Sequence, residues 1–306
     1  MRAAVISGPD TPPDVRDVPV PEAGAERELI AVSSAALNPH DQVVAAGINF
    51  AVPYPYVTGT EGVGRTSEGQ RVYVGPTDPP HGSLAEYTVV DVGRPIPIPD
   101  GLTDEQALGI GMAGTTAWLA LAWKGQLQRG QSVLVTAATG AVGQIAVQAA
   151  KVMGASRVVA AGRNREILER LRLHGADETV VVDEDFEKNL AAVAEGGFDL
   201  VVDGLYGDYV GAAIRATRRN GRVVNFGMRA GRTATVSGIE LKGKELVGFA
   251  TTAAGPQAIR DAYVQMVDHV LDGTLEVTAE SMPLEDVALA WKRQRESPGS
   301  KLVLTI

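Results

Sequence analysis

The chain has 306 residues, a formal net charge of −9, no cysteine and 45% hydrophobic residues. This is the composition of an ordinary folded protein, and at this length two domains are expected rather than one. The negative charge argues against a nucleic-acid partner. The lack of cysteine excludes disulfides, thiolate zinc sites and a cysteine nucleophile.

No apolar run approaches the roughly 20 residues that a membrane span needs. The amino-terminal segment MRAAVISGPD has too short an apolar stretch for a signal peptide and is typical of a first strand. We therefore expect a soluble, cytoplasmic protein without a membrane partner.

Residues 1–108 are rich in proline and glycine and contain short β-prone runs. The clearest runs are LIAVSSAAL (29–37), QRVYVG (70–75) and LAEYTVV (84–90). Short strands separated by turn residues predict a β-rich domain of the barrel or sandwich type.

Residues 109–254 alternate between strand and helix patterns with short links. The predicted strands are 132–138, 157–162, 179–182, 198–203 and 222–227. The predicted helices between them are 142–153, 164–174, 185–195 and 208–218. Such alternation predicts an α/β domain with a parallel, doubly wound sheet. The tail, 255–306, predicts two helices and a last strand, and we expect it to return to the first domain.

The segment VLVTAATGAVGQIAVQAAK (133–151) places small residues at a strand-to-helix turn. Gly140 would let a pyrophosphate approach the helix N-terminus, and Gly143 would let the helix pack on the strand. Ala137 stands where the first glycine of G-x-G-x-x-G would be. Tight packing alone also explains small residues here, but the position after the first of five strands favours a dinucleotide site. Its predicted contacts are Thr139, Gly140, Ala141, Val142 and Gly143.

The end of the second strand indicates which nicotinamide cofactor binds. Gly162 lies where NAD-specific proteins place a carboxylate for the ribose hydroxyls. Arg163, Asn164 and Arg165 follow it. A solvated first helical turn is the alternative explanation. Arginine near the positive end of a helix dipole is unfavourable without an anion, so the pattern favours the 2′-phosphate of NADPH.

Several segments, in this order, resemble the zinc-free quinone oxidoreductase and ζ-crystallin group of the medium-chain dehydrogenase/reductase superfamily. They are ALNPHDQVVAAG (36–47), PYVTGTEGVG (55–64), GSLAEYTVV (82–90), MAGTTAWLAL (112–121), FDLVVDGLYG (198–207), GRVVNFGM (221–228) and SPGSKLVLTI (297–306). The resemblance implies a GroES-like catalytic domain, 1–112 with 255–306, and a Rossmann domain, 113–254, with the active site in the cleft between them.

The resemblance also addresses the metal question. Zinc alcohol dehydrogenases of this superfamily carry cysteine, histidine and cysteine where this chain has Asn38, Thr60 and Met112. The four histidines show no i,i+3 or i,i+4 pairing. We therefore expect no zinc, and the zinc alcohol dehydrogenase is the least favoured function.

The resemblance further implies site residues. Asn38 would be the catalytic hydrogen-bond donor, and Tyr54 and Tyr56 would be pocket walls or donors, although packing of their proline-rich loop explains them equally well. Further cofactor contacts would be Thr116, Asn225, Phe226, Gly227, Phe249, Ala250, Thr251 and Lys301. Lys301 would reach the phosphate, and a solvated lysine at a strand edge is the alternative.

The expected function is NADPH-dependent hydride transfer to a quinone or an enone. The alternatives are an enoyl reductase acting on a thioester or biosynthetic intermediate and an NADPH-binding protein with little turnover. The chain departs from the group at Val43, where a frequent active-site tyrosine stands, and at Val182 and Ile167 near the cofactor. The apolar strand 245–251 would lie at a sheet edge, which predicts a C2 homodimer.

Overall fold

The computed structural model describes residues 1–9, 11–48 and 52–306 and divides the chain into two units. The first unit is Met1–Met112 with Val277–Ile306, and the second is Ala113–Glu276. Within the described ranges, no helix is long and apolar enough to cross a membrane.

Most elements of the second unit begin and end within a few residues of the predicted bounds. The strands are β1 (Arg2–Ile6), β2 (Asp14–Asp17), β3 (Arg27–Leu37), β4 (Tyr56–Val57), β5 (Glu61–Arg65), β6 (Arg71–Val74), β7 (Tyr87–Asp91), β8 (Ile96–Pro97), β9 (Ser132–Val135), β10 (Arg157–Gly162), β11 (Glu178–Val181), β12 (Phe198–Asp203), β13 (Thr217–Asn225), β14 (Glu245–Gly248), β15 (Ala279–Pro283) and β16 (Lys301–Thr305). The α-helices are α1 (Pro39–Ala45), α2 (Asp104–Leu108), α3 (Thr115–Leu119), α4 (Ala141–Val152), α5 (Arg165–Leu173), α6 (Phe186–Val193), α7 (Val210–Ala216), α8 (Pro256–Leu271) and α9 (Val287–Glu296). Strand β13, however, begins at Thr217, inside the helix predicted over 208–218, and the tail contains a strand, β15, that the sequence analysis missed.

The first unit is built from two sheets. In the smaller sheet, β1 pairs antiparallel with β2 and with β4. The larger sheet has the order β15-β16-β3-β5-β6-β8, and β7 also pairs with β3. The carboxyl-terminal strand β16 runs antiparallel to β3 with Leu302 opposite Leu37. This register brings the tail residue Lys301 next to the end of β3, where Asn38 is the N-cap residue of helix α1.

The second unit is a parallel sheet with helices, because its buried β-prone strands alternate with helical segments. The strand order is β11-β10-β9-β12-β13-β14, and each neighbouring pair is parallel. In the order of the strands along this domain it reads 3-2-1-4-5-6, the doubly wound arrangement of dinucleotide-binding domains. The predicted α/β fold class is confirmed.

The second unit extends further along the chain than the predicted domain boundary. Residues 255–276, which the sequence places in the first domain, group with the second unit. Helix α8 packs there, and the His269 ring lies 5.7 Å from that of Trp118. The Gln148 side chain also donates to the carbonyl oxygen of Glu276 at 3.0 Å and accepts from its N–H at 2.8 Å.

Candidate active site

The turn between β9 and α4 is shaped by one residue in a left-handed conformation. Ala137 has a φ of 52°, a region that glycine adopts more readily. The next residue, Ala138, donates its N–H to the carbonyl of Ala161 at 2.8 Å, which attaches the turn to β10. Gly140 then begins helix α4 in extended backbone. The N–H groups of Ala141, Val142 and Gly143 follow in the first turn, where they have no acceptor within the helix.

The two glycines of this turn are explained by different causes. A Cβ at Gly143 would lie 2.3 Å from the carbonyl oxygen of Ala137 and 2.5 Å from the Cα of Ala138, so close packing requires glycine there. A Cβ at Gly140 would meet nothing nearer than that same oxygen, at 3.5 Å. Gly140 has an ordinary φ of −87°. The packing of the described residues therefore does not require glycine at 140. An anion approaching the helix N-terminus would require it, because a side chain would occupy the approach.

The side chain of Thr139, in the same turn, lies against Gly162, the position at which NAD-specific proteins carry a carboxylate. A Cβ at Gly162 would lie 2.5 Å from Thr139 Cγ2 and 2.9 Å from its Oγ1. An aspartate or glutamate at 162 would therefore require the Thr139 side chain to move.

The three polar residues after Gly162 differ in the contacts that they make. Arg165 pairs with Asp183 at 3.4 Å, and Asn164 accepts from the N–H of Ile167 at 3.1 Å as the cap of helix α5. The Asn164 oxygen therefore caps the helix, and a contact of its Nδ2 group with the 2′-phosphate stays a prediction. Arg163 is exposed, and in the part of the chain that the structure describes it forms no ion pair with a carboxylate.

A further arginine, which the sequence analysis missed, lies near Arg163. Burial and, after it, the charge of Arg163 lower the pKa of the Arg229 guanidinium. Two guanidinium groups therefore share this corner of the second unit. Arg229 is far from Arg163 in sequence, and no local pattern joins them.

The predicted nicotinamide contacts after β13 surround a carboxylate that the sequence analysis also missed. Asp203, fully buried at the end of β12, accepts from Thr136 Oγ1 at 2.6 Å and from Asn225 Nδ2 at 2.9 Å. The Asn225 amide also donates to the carbonyl of Gly227 at 2.7 Å. Phe226 lies against Gly204, since a Cβ there would be 2.6 Å from Phe226 Cζ. The strand FDLVVD, which ends in a carboxylate, is the signal that was available.

The remaining predicted contacts of this unit lie in α3 and directly after β14. The hydroxyls of Thr116 and Thr251 lie 2.7 Å apart, so the structure brings these two together. Phe249 instead packs with its ring centroid 5.9 Å from that of Trp123. Ala250 is exposed next to it.

A buried polar network lies in the first unit and is centred on Glu61, another residue that the sequence analysis missed. Glu61 is fully buried, and its Oε1 accepts from Asn38 Nδ2 at 3.0 Å and from Lys301 Nζ. Its Oε2 accepts from the Tyr73 hydroxyl at 2.8 Å and from the backbone N–H of Met112 at 2.7 Å. Four donors thus surround the carboxyl group of Glu61. Its position within GTEGVG was the available signal.

The contacts of Lys301 differ from the predicted role at a phosphate. Its side chain is 3% exposed, and Nζ lies 2.5 Å from Asn38 Oδ1 as well as donating to Glu61. A buried ammonium needs a carboxylate partner, because taking it out of water costs several kcal/mol. The β16 register supplies that partner, and Lys301 is a member of the Glu61 network.

The residues at the three zinc-ligand positions have chemistry that does not suit zinc. The Asn38 carboxamide contacts Lys301 and Glu61, and the Thr60 hydroxyl donates to Asp41. Met112 offers a thioether and uses its N–H on Glu61. Across residues 1–9, 11–48 and 52–306, histidine, aspartate and glutamate form no group of three that could hold a metal ion.

Tyr54 and Tyr56 pack in the core of the first unit, as the alternative explanation held. The Tyr54 hydroxyl donates to the carbonyl of Ala45 at 2.7 Å. Tyr56 is 3% exposed, and burial raises its pKa to about 12. These contacts give the two tyrosines a packing role, and their role in a substrate pocket stays a prediction.

Asp41 makes the stability of the protein depend on pH. Burial raises its pKa from 3.8 to about 6, although hydrogen bonds from Thr60 and from the Asn38 N–H oppose the shift. The folded protein therefore binds this proton more tightly than the unfolded chain does. We expect this contribution to stability to be complete below about pH 4 and to be lost as the pH rises to about 6, by about 3 kcal/mol.

The measurement is the free energy of unfolding between pH 4 and pH 7 for the wild type and Asp41→Asn. Carboxylates with a lowered pKa, such as Asp104, give the opposite slope, so the difference between the two proteins is the relevant quantity. A difference that stays constant across this range would contradict the prediction.

Comparison with known proteins identifies a matching family model and several similar proteins. A family model described as zinc-binding dehydrogenase matches residues 141–271, which exclude the three zinc-ligand positions. The chain is 31% identical over 291 residues to polyketide synthase GfsB of Streptomyces halstedii, a match that covers 90% of this chain. It spans 5–16% of the length of this and five other polyketide synthases.

Two similar proteins match over most of their own length. The chain is 29% identical over 283 residues to the putative quinone oxidoreductase YhfP of Bacillus subtilis, covering 86% of this chain and 85% of that protein. The structure of the quinone oxidoreductase from Thermus thermophilus, reported also in complex with NADPH, matches with a TM-score of 0.88 and 29% identity over 100% of both chains.

Proposed function

Because the chain belongs to the medium-chain dehydrogenase/reductase superfamily, in its zinc-free, quinone oxidoreductase-like group, we propose that it is an NADPH-dependent reductase of quinones or activated alkenes. The observation that carries the proposal is the open space at Gly140, where the fold does not need a glycine but an approaching pyrophosphate does. The NADPH complex of the similar Thermus enzyme supports the choice of cofactor.

The residues of the second unit fit this cofactor. Gly140 and the first turn of α4 would hold the pyrophosphate, and Arg163 with Arg229 would hold the 2′-phosphate. Thr116, Asn225, Phe226 and Gly227 would line the nicotinamide. When bound, NADPH supplies the hydride that the substrate accepts.

The donor set of the first unit favours an acceptor that is already electron-poor. Zinc would polarise a carbonyl as a Lewis acid, whereas Asn38, Thr60 and Met112 are not zinc ligands. A quinone or an enone needs only hydrogen bonds to the oxygen on which charge develops. We assign that donation to the Asn38 carboxamide, and a proton from water completes the reduction.

An enoyl reductase acting on a biosynthetic thioester is the second candidate. The 291-residue match to a polyketide synthase favours it. The electronic requirement is the same, since an enoyl thioester is also a C=C bond activated by a carbonyl group.

The first experiment is titration of the purified protein with NADPH and NADH, followed by NADPH oxidation against a 1,4-quinone, an enone, an enoyl thioester and a plain aldehyde. The proposal expects tight NADPH binding and turnover of the quinone or enone, without turnover of the aldehyde. Turnover of the thioester alone would establish the second candidate. Binding without turnover would indicate a binding protein.

We expect Arg163→Ala to weaken NADPH binding by roughly 10- to 100-fold, because a charge-assisted hydrogen bond contributes about 1.5–3 kcal/mol. NADH binding should be unchanged, since NADH lacks the 2′-phosphate. Arg165→Ala is the matched control, because Arg165 already pairs with Asp183 and should affect NADPH less. Dissociation constants from fluorescence titration measure both effects, and equal losses for NADPH and NADH would exclude a 2′-phosphate site at Arg163.

We also propose that the protein is a C2 homodimer. Strand β14 is the last strand in the order of the parallel sheet, and Leu246 and Val247 are half-buried there. Pairing of two such edges would cover an unpaired row of backbone groups. The mass in solution at micromolar concentration reports on this assembly.

A further inference from the structure

The Asn38 carboxamide lies between two opposite charges. Its Oδ1 is 2.5 Å from the Lys301 ammonium, and its Nδ2 is 3.0 Å from the Glu61 carboxylate. Turning the amide over would place its NH2 group against the ammonium and its oxygen against the carboxylate. Asn38, Glu61 and Lys301 are 5%, 0% and 3% exposed, so water screens these interactions little. The pair therefore selects one orientation of the amide.

The charge pair is itself fixed. Glu61 Oε2 is held by the Tyr73 hydroxyl and the Met112 N–H, at 2.8 and 2.7 Å, which leaves Oε1 to face Lys301 and Asn38. The backbone of Asn38 is fixed as well, since its N–H donates to Asp41 Oδ2 at 2.6 Å. The backbone N–H and the side-chain amide of Asn38 are thus both held in place by hydrogen bonds to buried residues.

We propose that Lys301, together with Glu61, is a positioning residue that orients the Asn38 amide as a hydrogen-bond donor toward the substrate oxygen. The inference rests on the proposed function and deepens it. One Nδ2 hydrogen is used on Glu61. Among the described residues, the other Nδ2 contact is the Ala36 carbonyl at 3.5 Å, the outer limit of a hydrogen bond, so this hydrogen is the one left for the substrate.

The test is steady-state kinetics and NADPH binding of Lys301→Met. Its control is Lys292→Met, which alters a lysine of the same unit outside the Glu61 network. We expect kcat to fall about 100-fold in Lys301→Met, the loss seen when an oxyanion donor is removed, with the NADPH dissociation constant unchanged. Asn38→Ala should cause a similar loss, and the Asn38→Ala/Lys301→Met double variant should lose little more.

Two outcomes would overturn the proposal. A weaker NADPH affinity with an unchanged kcat would make Lys301 a phosphate ligand. Losses that multiply in the double variant would show that Lys301 acts independently of Asn38. If Lys301→Met does not fold, the Lys301→Met/Glu61→Gln variant, which removes both charges, carries the same comparison.

A readout independent of turnover separates this proposal from the proposed function. With 15N-labelled asparagine, the Nδ2 protons of Asn38 can be assigned by their loss in Asn38→Ala. We expect a downfield resonance from the bond to Glu61 that shifts upfield in Lys301→Met/Glu61→Gln and stays in place in Lys292→Met. An Asn38 resonance that does not change when Lys301 and Glu61 are both replaced would overturn the positioning role, whether or not a substrate has been identified.

Discussion

We expect Glu61→Ala to lower the free energy of unfolding by roughly 3–5 kcal/mol, because it removes one partner of a buried ion pair. Lys301 would remain 3% exposed with its charge uncompensated. The Tyr73 hydroxyl and the Met112 N–H would lose their acceptor at the same time. Loss of a hydrogen bond to a charged group contributes about 1.5–3 kcal/mol.

The matched control is Glu280→Ala in the same unit. Glu280 pairs with Arg293, but the two side chains are 43% and 32% exposed. An exposed pair contributes about 0–1 kcal/mol, so this variant should unfold nearly as the wild type does. Urea denaturation of both variants makes the comparison, and equal losses would mean that the Glu61 network adds nothing to stability.

The Glu61→Gln/Lys301→Met variant tests whether the stability lost in Glu61→Ala comes from the charge left unpaired or from the absence of the ion pair itself. Removing both charges leaves no uncompensated ion, and such replacements of buried pairs are often neutral. We therefore expect this double variant to be more stable than Glu61→Ala. An unchanged fold with a lower kcat would then assign the pair to positioning rather than to stability.

The sequence predicts the second unit well because its signals are local. A β-prone run followed by a helical pattern fixes each strand and helix, and right-handed connections between parallel strands leave few arrangements. The strands predicted at 157–162 and 198–203 are β10 and β12 as observed. The small residues of TAATGAVG are likewise neighbours in sequence.

The interactions that the sequence does not reveal join distant segments. Lys301 meets Asn38 and Glu61 only because β16 pairs with β3 in one register, and a shift of one residue would turn its side chain to the other face. Arg229 is near enough to Arg163 for the charge of Arg163 to lower its pKa, although the two residues are far apart in sequence. The 255–276 segment follows the second unit because of contacts such as Trp118 with His269 rather than because of its composition.

Some residues at the predicted site also have local structural roles. Asn164 follows a strand at the cofactor edge, and its side-chain oxygen caps helix α5, a common use of asparagine at that position. Tyr54 and Tyr56 resemble pocket residues in sequence, whereas the structure shows Tyr56 buried and Tyr54 half-buried against the core. Burial depends on the whole unit and is not readable from a proline-rich loop.

The paired variants Gly140→Ala and Gly143→Ala decide whether the TAATGAVG turn serves a ligand or only packing. The Gly140 variant has room for its methyl group, whose nearest neighbour would be 3.5 Å away, so the free energy of unfolding should change by less than about 1 kcal/mol. Its NADPH affinity should fall by roughly 10- to 100-fold, or about 1.4–2.7 kcal/mol, because the methyl group occupies the approach of the pyrophosphate. The Gly143 methyl would instead lie 2.3 Å from the Ala137 carbonyl oxygen, and overpacking of this kind costs about 1–3 kcal/mol of stability.

Isothermal titration with NADPH and urea denaturation of both variants give the two quantities for each position. Loss of affinity at 140 with intact stability requires a ligand over that glycine, since no atom of the residues that the structure describes approaches it closely enough to explain the loss. If Gly140→Ala bound NADPH as the wild type does, the small residues of the turn would serve packing alone, and the cofactor assignment would fail with them.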